Sequence, residues 1–307
     1  MDSLIKILND NKISELTFVD VGAKDKLDFI TELKSLIVLH AFEPITEEYN
    51  KLKEKYKNNF FKELFLNEQG LSDFIGTAQF NVTKHNSMSS LLEVDVENYR
   101  KHFGNYSEFC TWSNNVSVEK KINIELQTLD SYFEDKDSVI DYLKIDTQGS
   151  ELIILKGAEK LLQNKKISVI KVEVCTIPIY KNQALFSDID VFLRSYGYIL
   201  VDFVSFRKEY RSTFKKQKAH YAPCGDAIYI LQSEPETNEN RIKKAILLSW
   251  LGYKSLSQNL VTLTKLELKE LNIILSIYNN SKLLFLKKII KNSLPPYIFN
   301  FIKACLR

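Results

Sequence analysis

Residues 139–163 read VIDYLKIDTQGSELIILKGAEKLLQ. The first eight are dominated by apolar, β-branched and aromatic side chains, the composition of a buried strand, and Asp146 stands at the carboxyl end. Gly149 and Ser150 then turn the chain into a helical pattern over 150–163. Ser150 is placed to cap that helix and Glu151 to complement its dipole. Capping accounts for those two residues and leaves Asp146 without a structural reason for its place at the strand end.

The same alternation extends in both directions. Downstream come ISVIKVEVC (167–175), a helical LFSDIDVFLRSYG (185–197), YILVDFV (198–204) and GDAIYILQ (225–232), the last two reading as a terminal hairpin. Upstream, TFVDVG (17–22), LDFITELKSL (27–36), IVLHAFEP (37–44), TEEYNKLKEKY (46–56) and NFFKELFLN (59–67) read β-α-β-α-β. That order implies a parallel sheet covered on both faces. Between about 76 and 128 the pattern loosens, with strands expected near 77–80 and 121–127. The economical architecture is α/β, a doubly wound, mostly parallel seven-stranded sheet. At SEPETNENR (233–241) the composition turns polar, and the remainder of the chain reads as helices. Two parts are expected: 1–232, carrying the sheet, and 233–307, a helical C-terminal extension.

The chain has 307 residues, 45% of them hydrophobic, enough to bury one sizeable core. A net charge of +3 with 26% charged residues supplies no global field for nucleic acid. Cys110, Cys175, Cys224 and Cys305 are widely spaced without a CxxC pair, which argues against a disulfide framework and a zinc site and reads as reduced cytoplasmic thiols. The opening MDSLIKILNDNK lacks the apolar core of a secretory signal, and no run approaches a membrane span.

Four positions could carry chemistry. Asp20, Gly22 and Ala23 form the turn after the first strand, where a ligand can meet the carboxyl edge of a sheet; an ordinary βα turn is the alternative. Glu43 follows the second strand and could accept two hydrogen bonds from a ribose diol, or pair with a surface cation. Asp146 ends the fourth strand. Glu173 lies in the apolar run VIKVEV, where a carboxylate is costly unless it is paired or used. His85, in the polar loop NVTKHNSMSSLL, is a fifth candidate beside the expected cleft. His85 and His102 are too isolated among ligand-type residues for a metal site.

FVDVGA, AFEP, GLSD with a following glycine, TLDSYF, LKIDTQGSELIILKGAEKLL and VIKVEV, in this order and spacing, resemble the FkbM family of methyltransferases over about residues 16–232. KIDTQGSELIILKGA is the most specific piece. The resemblance implies a class I, Rossmann-like fold and S-adenosyl-L-methionine as cofactor. It also implies O-methylation of a hydroxyl on a sugar, a glycan or a related metabolite. On its terms Asp20 and Gly22, with Ala23, line the methionine part of the cofactor. Glu43 holds the ribose, Ser72 and Asp73 flank the adenine, and Asp146 faces the reacting methyl. Lys24 and Lys26 stand where the family carries an asparagine and a second glycine. They either narrow the approach to the cofactor carboxylate or pair with it.

Methyl transfer to a hydroxyl benefits from a base, and Asp146, Glu173 and His85 are the candidates. Tyr99, Tyr106, Phe109 and Trp112 could stack on a sugar or simply pack an insertion. In KLLFLKKIIK (282–291) a helical wheel gathers Lys287, Lys288 and Lys291 on one side. That pattern suits an anionic membrane surface at 282–307, at the inner face, or packing on this domain or on a second subunit. Two other classes remain: a scaffold that keeps the fold without cofactor, and a nicotinamide-dependent oxidoreductase. The incomplete GxGxxG at 20–26 weighs against the latter.

Overall fold

The computed structural model describes residues 2–24, 27–58, 61–103, 114–136, 139–204, 224–232, 236–264, 266 and 268–276. Among these residues ten strands fall into two sheets. The seven-stranded sheet contains β1 (Leu16–Val21), β2 (Ile37–Phe42), β3 (Glu63–Asn67), β7 (Ile140–Ile145), β8 (Ile167–Cys175), β9 (Tyr198–Val204) and β10 (Cys224–Leu231), in the order β3-β2-β1-β7-β8-β10-β9. All pairings among β1, β2, β3, β7 and β8 are parallel, and β10 runs antiparallel to both its neighbours. This is the doubly wound, mostly parallel sheet expected of a class I methyltransferase. Reversal of the strand order beside β1 opens a crevice at the carboxyl ends of β1 and β7, the switch point where such sheets bind ligands. Every residue of β1 and β2 is buried, which is why these strands read as continuous apolar runs rather than alternating ones.

The polar excursion forms the second sheet, β4 (Gly70–Leu71), β5 (Gly76–Thr83) and β6 (Val118–Gln127), in the order β4-β6-β5. Ile45, Phe80, Val82, Ile124 and Leu126 make its apolar cluster.

Two helices depart from expectation. Between β1 and β2 there is a 3-10 turn at Thr31–Leu36 instead of an α-helix over 27–36. Ahead of it, Leu27 N donates to Tyr56 Oη at 3.1 Å and Asp28 N to Asp20 Oδ2 at 2.9 Å. The helix expected over 150–163 is two, at Glu151–Lys156 and Glu159–Gln163. The break falls at Gly157, where an added Cβ would lie 2.0 Å from Ser72 O, so the backbone of another loop occupies the space a side chain would need. Asp130 re-starts the second helix by accepting from Lys160 N and Leu161 N at 2.9 and 3.0 Å.

The chain divides into two compact units, 15–29 with 34–235, and 1–14 with 30–33 and 236–307. The break at 235/236 lies close to the boundary drawn from composition, but the first fourteen residues group with the C-terminal helices. Helix α1 (Asp2–Asp10) buries Leu4, Ile7 and Leu8 and packs on the helix Leu268–Leu275 of the same unit. There Ser249 Oγ donates to Ile274 O and Ser257 Oγ to Ala245 O, tying three helices together. No helix among the described residues is long and apolar enough to cross a membrane. The basic segment 282–307 lies outside the described residues, as do Lys26, Tyr106, Phe109 and Trp112. Tyr99 is buried in a core cluster with Tyr180 and Cys224, as core packing would have it.

Candidate active site

Three strand ends meet at the switch point through their backbones. Gly22 N and Ala23 N donate to Phe42 O at 3.1 and 3.0 Å, and Asp146 N donates to Val21 O at 3.1 Å. Gly22 has φ +77°, and a Cβ there would stand 2.0 Å from Asp146 O. Only glycine lets these turns close on one another, and the floor of the crevice is consequently backbone. Ala23 is fully buried beneath it.

Asp20 does not reach the crevice. Its register partner on β7 is Lys144, whose Nζ donates to Asp20 Oδ1 at 3.0 Å, and Asp28 N occupies Oδ2. Burial raises the Asp20 carboxyl, the Lys144 ammonium opposes it, and the pair braces the first turn from behind. The structure therefore shows Asp20 behind the turn, with a protein partner on each oxygen, and not among the residues that line the crevice.

Glu43 does reach it. The residue is 6% exposed, its Oε1 accepts from Ile45 N at 2.8 Å, and Oε2 has no hydrogen bond among the described residues. Burial pushes this carboxyl up to about 7 against the Ile45 amide. Nearby, Glu48 Oε1 accepts from Lys51 Nζ at 2.7 Å and Asn86 Nδ2 at 2.9 Å; burial opposes ionisation there, but these bonds outweigh it and hold the carboxyl low. Lys24 lines the crevice in the field of both glutamates.

The turn after β7 is tied internally. Gln148 has φ +59° and Gly149 φ +107°, and Glu151 holds this tight turn by accepting from Thr147 N at 2.9 Å and Gly149 N at 3.0 Å. Ser150, expected to cap the helix, makes no side-chain cap and donates to Thr147 Oγ1 at 3.0 Å. The left-handed turn aims the Gln148 amide across the crevice, so that Nε2 donates to Asp146 Oδ1 at 3.0 Å and to Glu173 Oε2 at 2.9 Å. An amide nitrogen has two hydrogens, one for each carboxylate. Tyr180 Oη lies 3.2 Å from both Gln148 Oε1 and Met88 O and donates to one at a time. Burial holds the Tyr180 hydroxyl well above its ordinary range, and it stays protonated. Sequence reading finds Asp146 and Glu173 but neither Gln148 nor Tyr180.

Most of these groups line one open cleft with a cavity volume of about 200 Å³. Gly22, Glu43, Asp146 and Glu173 are brought together on its walls, and Gly70, Leu71, Phe80 and Ile124 add an apolar side. Ser72, Asp73 and His85 are not brought in. The Ser72 backbone packs against Gly157, Asp73 is exposed, and His85 is exposed with its ring nitrogen on Ser87 Oγ. An apolar side, a buried carboxylate with an oxygen that has no hydrogen bond among the described residues, and a floor of backbone match adenine, a ribose diol and an extended amino-acid chain, so the residues present fit S-adenosylmethionine. Glu43 would hold the ribose and the turn at Gly22 the amino-acid chain.

This sheet order, with a glycine-floored turn after β1, a carboxylate after β2 and an acidic turn after β7, is that of the class I, Rossmann-like methyltransferase fold. Residues 20–200, more than half of the chain, match the family model described as the methyltransferase FkbM domain, and the chain belongs to that family. Among solved structures it is similar to the methyltransferase FkbM from Methylobacillus flagellatus KT, at 16% identity and a TM-score of 0.38, over 71% of this chain and 43% of that one. It thus spans less than half of that protein's length. It is also similar to the magnesium protoporphyrin IX methyltransferase of Synechocystis PCC 6803 with bound SAM (7% identity, TM-score 0.36, 75% of this chain and 77% of that one). A third likeness is to an S-adenosylmethionine-dependent methyltransferase from Clostridium acetobutylicum ATCC 824 (10% identity, TM-score 0.34, 76% and 90%). No curated protein matches.

Proposed function

We propose that the chain transfers a methyl group to a hydroxyl of a sugar, a glycan or a related metabolite. The observation that carries this reading is the pair Asp146 and Glu173, held side by side on the cleft wall by one Gln148 amide nitrogen. S-adenosylmethionine supplies, when bound, an electrophilic methyl on a sulfonium. Asp146 and Glu173 put a pair of carboxylates on the cleft wall, and either would serve as the base that takes the proton of an acceptor hydroxyl. In-line displacement needs no nucleophile on the protein, so orienting the acceptor oxygen in the cleft supplies much of the rate. His85, exposed and outside the cleft wall, has no part in this reading.

Incubation with isotopically labelled methyl donor and a panel of hydroxylated glycans and metabolites tests it. The expected product carries label in a base-stable methyl ether. Label found only on amines, or released by mild base as from a methyl ester, would overturn the hydroxyl assignment.

A further inference from the structure

The cleft wall carries four carboxylates, Glu43, Glu48, Asp146 and Glu173, and among the described residues that line it Lys24 is the sole cation. Its ammonium has no hydrogen bond and no close ion pair among the described residues, whereas the surrounding acidic side chains are for the most part already engaged. Lys24 follows directly on the Gly22–Ala23 floor, whose two amides are spent on Phe42 O. That turn therefore presents no spare backbone donor at Gly22 or Ala23 for an anionic group, and among the described residues that line the cleft the positive charge available is the Lys24 side chain.

The charges of the ligand sort themselves against this wall. Its sulfonium and α-ammonium suit the carboxylates, and its α-carboxylate would be repelled by every one of them. We propose that Lys24 is the carboxylate anchor of the cofactor site, closing an ion pair with the α-carboxylate at the β1 end of the cleft and thereby selecting ligands that carry the complete amino-acid chain. Lys24 is a specificity-determining residue on this reading, not a catalytic one. The inference rests on the cofactor and not on the acceptor, so it stands or falls apart from the hydroxyl assignment.

A thermodynamic cycle read by calorimetry tests it without any turnover. S-adenosylhomocysteine and its decarboxylated analogue, which keeps adenine, ribose, sulfur and ammonium, are titrated into the full chain and into Lys24→Met and Lys24→Gln. The wild-type protein is expected to prefer the complete ligand by about tenfold or more, as a charge-assisted pair at a partly buried site would give. Both variants are expected to lose most of that preference while binding the decarboxylated analogue within about twofold of wild type. Binding of the analogue also reports that each variant is folded at the site. A preference that survives both substitutions would overturn the proposal. So would an equal weakening of both ligands, because Lys24 would then act through the Glu43 carboxylate that both ligands' riboses share.

Discussion

The two walls of the cleft are built from the same ingredients, a strand end followed by a turn with buried carboxylates, and they are finished differently. On the β1–β2 wall Glu43 keeps an oxygen free and Lys24 keeps a whole ammonium free. On the β7–β8 wall Gln148 Nε2 donates to both Asp146 and Glu173, and Glu151 locks the turn that carries Gln148. Open valences are what a binding surface needs, and mutually satisfied ones are what holds a reacting geometry fixed. On the proposed function, the first wall would hold the donor and the second would orient the acceptor.

Removing the junction between the walls should have the largest effect. Gly22→Ala forces a Cβ to within 2.0 Å of Asp146 O at a φ that other residues avoid. Denaturant unfolding should show a loss of about 2–4 kcal/mol, and cofactor binding should be lost with the separation of the turns. A variant as stable as wild type would mean that the two turns are not pressed together.

Breaking the second wall alone should act on turnover. Gln148→Leu removes the donor shared by Asp146 and Glu173, and kcat should fall about tenfold. The KM for the methyl donor should stay within about threefold of wild type. A purely structural role for Gln148 would weaken donor binding along with turnover.

Glu43 yields a smaller effect, of opposite sign in stability and in binding. Its carboxyl is raised from an ordinary 4.5 to about 7 by burial, so between those values the folded protein holds a proton that the unfolded chain has released. Stability contributed at this site is full below pH 4.5 and declines as pH rises through 7. Glu43→Gln should therefore match wild type near pH 4 and exceed it at pH 8, by on the order of 1–2 kcal/mol. Equal stability at both pH values would show that Glu43 is not desolvated.

Much of the fold and part of the site are legible in the sequence, for identifiable reasons. Strands buried on both faces announce themselves as unbroken apolar runs, and a carboxylate at the end of such a run, as at Glu43, Asp146 or within VIKVEV at Glu173, stands out against its neighbours. Asp20 stands out equally and has a bracing role, because its partner Lys144 is set by the β1–β7 register, which no single strand reveals. Gln148 escapes notice since its reach depends on a left-handed turn by a residue other than glycine, and Tyr180 because it arrives from 32 positions away. The helix over 150–163 reads as unbroken because the cause of its break, Ser72 O against Gly157, lies in a different loop.

The division of labour between the walls is tested most directly by calorimetric titration of S-adenosylhomocysteine into wild type, Glu43→Gln and Gln148→Leu at pH 8. Glu43→Gln should weaken binding about tenfold or more, while Gln148→Leu should leave it within about threefold of wild type. Undiminished binding by Glu43→Gln, or a loss in Gln148→Leu as large as in Glu43→Gln, would contradict the account.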